Sequence, residues 1–107
     1  MKIWVDDIRP APHGYFHCYS VNQAIELIRL SRFFWDRFPN LSDIEPITVI
    51  DLDYDAGDYQ CDGGDYINLL NWLEASNLDY PIAIHTMNPV GAENMRRIIQ
   101  RNGWKEV

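Results

Sequence analysis

Cysteine is scarce in this chain, and so is positive charge. Two cysteines, Cys18 and Cys61, have no cluster of other ligands around them in sequence. That excludes a disulfide framework and a zinc-finger pattern, and leaves structural thiols in a reducing compartment. Nine Lys and Arg stand against sixteen Asp and Glu, a formal net charge of −7. Such a balance argues against an extended DNA duplex or an anionic membrane as partner, although one local basic pocket is compatible with it. No apolar run is long enough to span a bilayer. Met1-Lys2-Ile3-Trp4-Val5 meets Asp6 and Asp7 at once, which is not the pattern of a signal peptide. The expected location is therefore cytoplasmic. Internal repeats, low-complexity tracts and interdomain linkers are also lacking.

What is present is a globular composition, 47% hydrophobic and 13% aromatic over 107 residues, enough for a single domain over residues 1–107 with a modest core. The most informative stretch runs from Ile47 to Gly57. A β-branched apolar run, Ile47-Thr48-Val49-Ile50, reads as a buried strand and ends in Asp51, Asp53 and Asp55. Strand alternation puts the three carboxylates on one side while the chain stays extended. Like charges so close together need a cation, a basic side chain or water to offset them. A second acidic end, Asp6-Asp7, follows the apolar run Lys2 to Val5.

Between the acidic ends, Arg9-Pro10-Ala11-Pro12-His13-Gly14 reads as a loop. Tyr15 to Tyr19 reads as a short strand, and Ser20 caps a helix from Val21 with Ala24, Ile25, Leu27, Ile28 and Leu30 as its apolar stripe. The helix continues through Phe33, Phe34, Trp35 and Phe38 and ends at Pro39-Asn40-Leu41-Ser42. The preferred reading of these aromatics is a lid over the sheet, with a protein-partner surface as the alternative. A second helix is expected over 65–75, capped by Asp62 or Gly64, and a strand over Ile82 to His85. A third helix runs from Val90 to Arg101, with Asn88 as N-cap, Pro89 at its first position and Asn102-Gly103 as its stop. Trp104 to Val107 is a candidate edge strand. Strands alternating with helices imply an α/β fold with a mainly parallel sheet, whose ligands bind beyond the carboxyl ends of the strands.

That rule gathers Asp6, Asp7, Asp51 to Asp55 and His85 to Asn88 on one rim. Several carboxylates with few histidines suit a hard divalent cation, Mg²⁺ or Mn²⁺; loop capping is the structural alternative. The turn from His85 to Gly91 sets a helix N-terminus at the rim, and Arg9 can grip a phosphate bidentately. Either feature alone also has a purely structural reading. His85, at a strand end, is the candidate acid or base near neutral pH, or else a hydrogen-bonded core histidine.

These residues resemble a known family. Asp6-Asp7, a central strand ending in Asp53 and a later strand ending at Thr86 are similar to the receiver domains of two-component response regulators. The chain departs from them in having Arg9-Pro10-Ala11-Pro12 where a helix follows the acidic pair, and no lysine near the last strand except Lys105. It resembles more closely the cyclic-phosphate processing receiver-like domains. Their three motifs appear here as Asp6-Asp7-Ile8-Arg9-Pro10-Ala11-Pro12, Leu52-Asp53-Tyr54-Asp55-Ala56-Gly57 and Ile84-His85-Thr86-Met87-Asn88-Pro89-Val90-Gly91. Two positions differ: Tyr54 stands where members often carry histidine, and Asp51 where a small uncharged residue is common.

The resemblance implies a small receiver-like (flavodoxin-like) three-layer α/β sandwich with its rim recast around a phosphate ligand. It implies a metal-dependent phosphoesterase-like domain that binds or hydrolyses a cyclic phosphate, on a nucleotide or an RNA end. In that reading Asp6, Asp7 and Asp53 hold the cation, and Asp55 assists. Arg9, Thr86, Asn88 and Gly91 hold the phosphate, and His85 protonates the leaving oxygen or orients the nucleophile. A non-enzymatic nucleotide sensor on the same rim is the main alternative. A phosphoacceptor receiver using Asp53 ranks below it.

Overall fold

The computed structural model describes residues 1–40 and 45–107. Four strands, β1 (Lys2–Val5), β2 (Tyr15–Cys18), β3 (Val49–Leu52) and β4 (Ile82–Ile84), form one all-parallel sheet in the order β2-β1-β3-β4. Three helices, α1 (Val21–Arg37), α2 (Ile67–Ala75) and α3 (Pro89–Asn102), alternate with them. This is the expected receiver-like α/β architecture with a parallel sheet. All three helices pack on one face, however, so the described residues form two layers and not the three of the sandwich expected from sequence, because the prolines of the β1–β2 connection leave no helix for the other face. Trp104 to Val107 extends the sheet only through a single parallel bridge from Glu106 to Ile82.

One sheet face carries Ile3, Val5, Ile50, Leu52 and Ile82, all fully buried. All three helices contribute to the core on this face: Val21, Ala24 and Ile28 from α1, Leu69, Leu70 and Leu73 from α2, Met95, Ile98 and Ile99 from α3. The topology explains why. Each crossover from β2 onwards advances the same way across the sheet, and right-handed crossovers in one direction share a face. The β1–β2 connection runs the other way, and Pro10 and Pro12 keep it from forming a helix. The alternate strand residues Trp4, Tyr15, His17, Val49, Asp51 and Ala83 therefore stay only partly buried.

Ser20 caps α1, its side chain accepting from the Gln23 amide at 3.0 Å. The buried contacts of α1 end at Ile28, and Phe33, Phe34, Trp35 and Phe38 are 40–49% exposed. They do not form the expected lid. Instead Phe33, Phe34 and Phe38 pack on one another, with the Arg37 guanidinium 4.8 Å from the Phe33 ring centre. The helix ends at Arg37 with Phe38 as its C-cap; Leu41 and Ser42 of the expected stop signal lie outside the described residues.

Helix α2 begins at Ile67 and takes no side-chain cap. Asp62, expected to cap it, instead accepts from Ser20 Oγ at 2.6 Å and Asn22 Nδ2 at 3.0 Å, bracing the start of α1. Helix α3 starts as the sequence indicates, with Asn88 accepting from the Gly91 amide at 2.9 Å, and ends at Gly103 in the left-handed region at φ 67°. No helix among the described residues is long and apolar enough to cross a membrane.

Candidate functional site

The strand register builds the rim. Val5 pairs with Leu52, and Leu52 with Ile84, so the residues that follow them, Asp6, Asp53 and His85, emerge side by side. Backbone bonds continue the ladder one step past the strands: Asp53 donates to the Val5 carbonyl and His85 to that of Leu52, both at 3.0 Å. By alternation all three side chains leave the partly buried face, on the same side as Trp4 and Asp51.

His85 is held from every direction. Its Nδ1 lies 2.6 Å from Asp51 Oδ1 and its Nε2 2.8 Å from Asp6 Oδ2. A carboxylate only accepts, so with both acids ionised each ring nitrogen carries a proton and the ring is an imidazolium. Burial works to lower the pKa of His85, but the hydrogen bonds and charges of Asp51 and Asp6 outweigh it and the net shift is upward. The indole of Trp4 stacks on the ring at 3.7 Å between centres and 5° between planes. Trp4 Nε1 in turn donates to the Arg9 carbonyl at 3.0 Å, and Arg9 Nη1 donates to the His85 carbonyl at 2.8 Å.

Asp6 is fully buried and fully engaged. Its Oδ1 accepts from the Ile8 and Arg9 amides at 2.9 and 2.8 Å, which folds the chain back at once after β1. Burial raises its pKa, and these amides with His85 more than reverse the effect, holding the carboxyl below its usual range. Asp7 behaves oppositely: burial, and then the negative charges of Asp6 and Asp53, raise its pKa. Gly57, at φ 54°, lies directly under the Asp7 carboxylate, where a Cβ would collide with Oδ2. Carboxylate oxygens of Asp6, Asp7 and Asp53 lie within 4.8 Å of one another. Arg9 Nη1 is 3.7 Å from Asp6 Oδ2 and 4.0 Å from Asp53 Oδ2. Three closely set hard oxygen donors with one guanidinium beside them are the donor set that could hold a divalent cation.

The structure does not gather every residue singled out from sequence. Asp55 is exposed and lies outside the three-carboxylate group. The strand stops at Leu52, and the chain turns as Asp53 Oδ1 accepts from the Tyr54 amide at 2.7 Å, which ends the alternation that grouped Asp55 with Asp53. Thr86, Asn88 and Gly91 are near the rim but serve the start of α3. Thr86 Oγ1 accepts from the Asn88 amide at 3.2 Å, the Gly91 amide goes to Asn88 Oδ1, and the Ala92 amide to the Asn88 carbonyl. Pro89 has no amide to offer, so the turn is a self-capped helix start rather than a row of free donors. Gly91 is small for a packing reason: the Tyr54 ring occupies the place of a Cβ.

Sequence reading placed Asp51 on the rim without seeing its partnership with His85, and gave no role to Trp4 or Gly57. The signal for Asp51 was there, since it shares strand parity with Asp53. Trp4 carried none, because its stacking partner lies 81 positions on. His17 Nε2 donates to the Asp6 carbonyl at 2.8 Å and so braces the backbone of the rim.

Neither the curated proteins nor the solved structures compared with this chain gave a match. The family model of the cyclic-phosphate processing receiver domain matches residues 1–101. That span contains all four strands and the whole rim, and on this match the chain belongs to the family of cyclic-phosphate processing receiver domains.

Proposed function

We propose that the rim binds a cyclic phosphate ester together with a divalent cation, Mg²⁺ or Mn²⁺, and hydrolyses the ester. The observation that carries this reading is the grouping of Asp6, Asp7 and Asp53 within 4.8 Å, with Arg9 beside it. Asp7 and Asp53 would hold the cation, with Asp6 completing the set. When bound, such a cation polarises a phosphoryl oxygen and lowers the pKa of water. Arg9 supplies the fixed positive charge for the phosphate. His85, protonated at both nitrogens, would serve as an acid and not a base; Asp51 orients it, and its Nε2 proton, donated to Asp6 Oδ2 in the structure, would pass to a leaving oxygen only once that bond is released.

One observation favours a second reading. Both nitrogens of His85 are already taken by carboxylates, so the same rim serves as a sensor if that ring never releases Asp6. A turnover and thermal-shift screen separates the two. It uses 2′,3′-cyclic mononucleotides, 3′,5′-cyclic nucleotides and cyclic-phosphate-ended RNA, each with Mg²⁺, Mn²⁺ or EDTA. Metal-dependent product that is lost in Asp53→Asn supports the esterase. Stabilisation without product supports the sensor. No response to any ester or metal contradicts both.

A further inference from the structure

Beside the acidic group stands a row of aromatic rings that the phosphate reading does not use. His17 and Tyr19 stack with centres 4.0 Å apart and planes 18° apart, and Tyr59 follows at 5.5 Å from Tyr19. The core does not require these tyrosines, since each is 40% exposed. Yet the row is firmly placed. The Tyr66 hydroxyl donates to the Tyr19 carbonyl at 2.7 Å, and His17 Nε2 to the Asp6 carbonyl at 2.8 Å. Tyr59 closes the 3₁₀ turn Gly57–Tyr59, whose first residue lies under the Asp7 carboxylate.

The row therefore borders the acidic group at two points, through His17 on the Asp6 backbone carbonyl and through Gly57 under the Asp7 carboxylate. Two residues of chain reach at most about 7 Å, so the Tyr59 Cα is within one side-chain length of the Gly57–Asp7 contact. Flat, exposed rings fixed next to a phosphate site suit one class of ligand above others, a phosphate ester that carries a nucleobase, because every base offers a face for stacking. A cyclic phosphate on glycerol or a simple sugar would leave the row unused.

We propose that Tyr19 and Tyr59 form a base-stacking subsite, and that the ligand of the rim is a nucleoside cyclic phosphate rather than a base-free one. This rests on the reading of the rim as a phosphate-ester site. The test compares, by calorimetry in Mn²⁺, the affinity for adenosine 2′,3′-cyclic phosphate with that for glycerol 1,2-cyclic phosphate. The wild-type chain prefers the nucleotide. In Tyr59→Ala the ratio of the two affinities falls on the order of tenfold, and Tyr59→Phe restores it. Equal wild-type affinity for the two esters overturns the subsite and leaves the rim reading standing. So does a Tyr59→Ala variant that keeps the wild-type ratio. Binding of neither ester by the wild-type chain overturns both.

Discussion

Replacing His85 by alanine removes the one imidazolium that two carboxylates share. Asp6, with no exposed surface, loses the partner at 2.8 Å, and Asp51 loses the one at 2.6 Å. Breaking a buried ion pair by deleting one member costs about 3–5 kcal/mol, because the other charge is stranded. Asp6 keeps the Ile8 and Arg9 amides and the Arg9 guanidinium at 3.7 Å, which places the expected loss near about 3 kcal/mol. For a domain of this size that is a fall in Tm on the order of 12–20 °C. The assay is urea unfolding in EDTA, with Asp51→Asn and the double variant completing a cycle. Asp51→Asn alone loses less, about 1–2 kcal/mol, since the amide oxygen still accepts from Nδ1. The pH dependence has a definite sign. The folded pKa of His85 lies above the usual 6.5. Its stabilising contribution is therefore complete below 6.5 and is lost as pH rises through the folded value. The gap between wild type and His85→Ala should narrow toward alkaline pH. A loss under about 1 kcal/mol, or a gap that widens as pH rises, would refute the account of His85 as a shared imidazolium.

Three further outcomes follow from particular contacts. Gly91→Ala should destabilise by about 1–3 kcal/mol in urea unfolding, because the new Cβ meets the Tyr54 ring; helix propensity alone predicts a gain, so the sign decides. Gly57→Ala should weaken Mn²⁺ binding, measured by calorimetry, since its Cβ displaces the Asp7 carboxylate and φ 54° disfavours a side chain. Glu74, bound by Arg101 and Asn102, should titrate at about 2 by carboxyl NMR. Its small contribution to stability is present above its usual 4.5 and is lost as pH falls through about 2.

The rim was legible in sequence wherever one segment sufficed. Acidic residues at two strand ends, a loop fixed by Pro10 and Pro12, and an Asn88-Pro89 helix start are local signals, and each appears where expected. What sequence could not supply was which donors were already spent. The amide of Gly91 looks free in a motif but is taken by Asn88, and the nitrogens of His85 look available but are taken by Asp6 and Asp51. Asp55 was misgrouped because β3 ends at Leu52, and strand parity has no force beyond that point. The exposed aromatics of α1 misled for another reason: helical spacing shows a stripe, but not how far along the helix the core extends.

The most direct test of the central claim is a Mn²⁺ titration followed by electron paramagnetic resonance, comparing wild type, Asp53→Asn and Asp79→Asn. Asp79 is an exposed carboxylate in the loop before β4, at the opposite end of the sheet, so its variant controls for net charge. The account predicts one saturable site in wild type and in Asp79→Asn, and none in Asp53→Asn. Equal binding by all three, or by none, would contradict it.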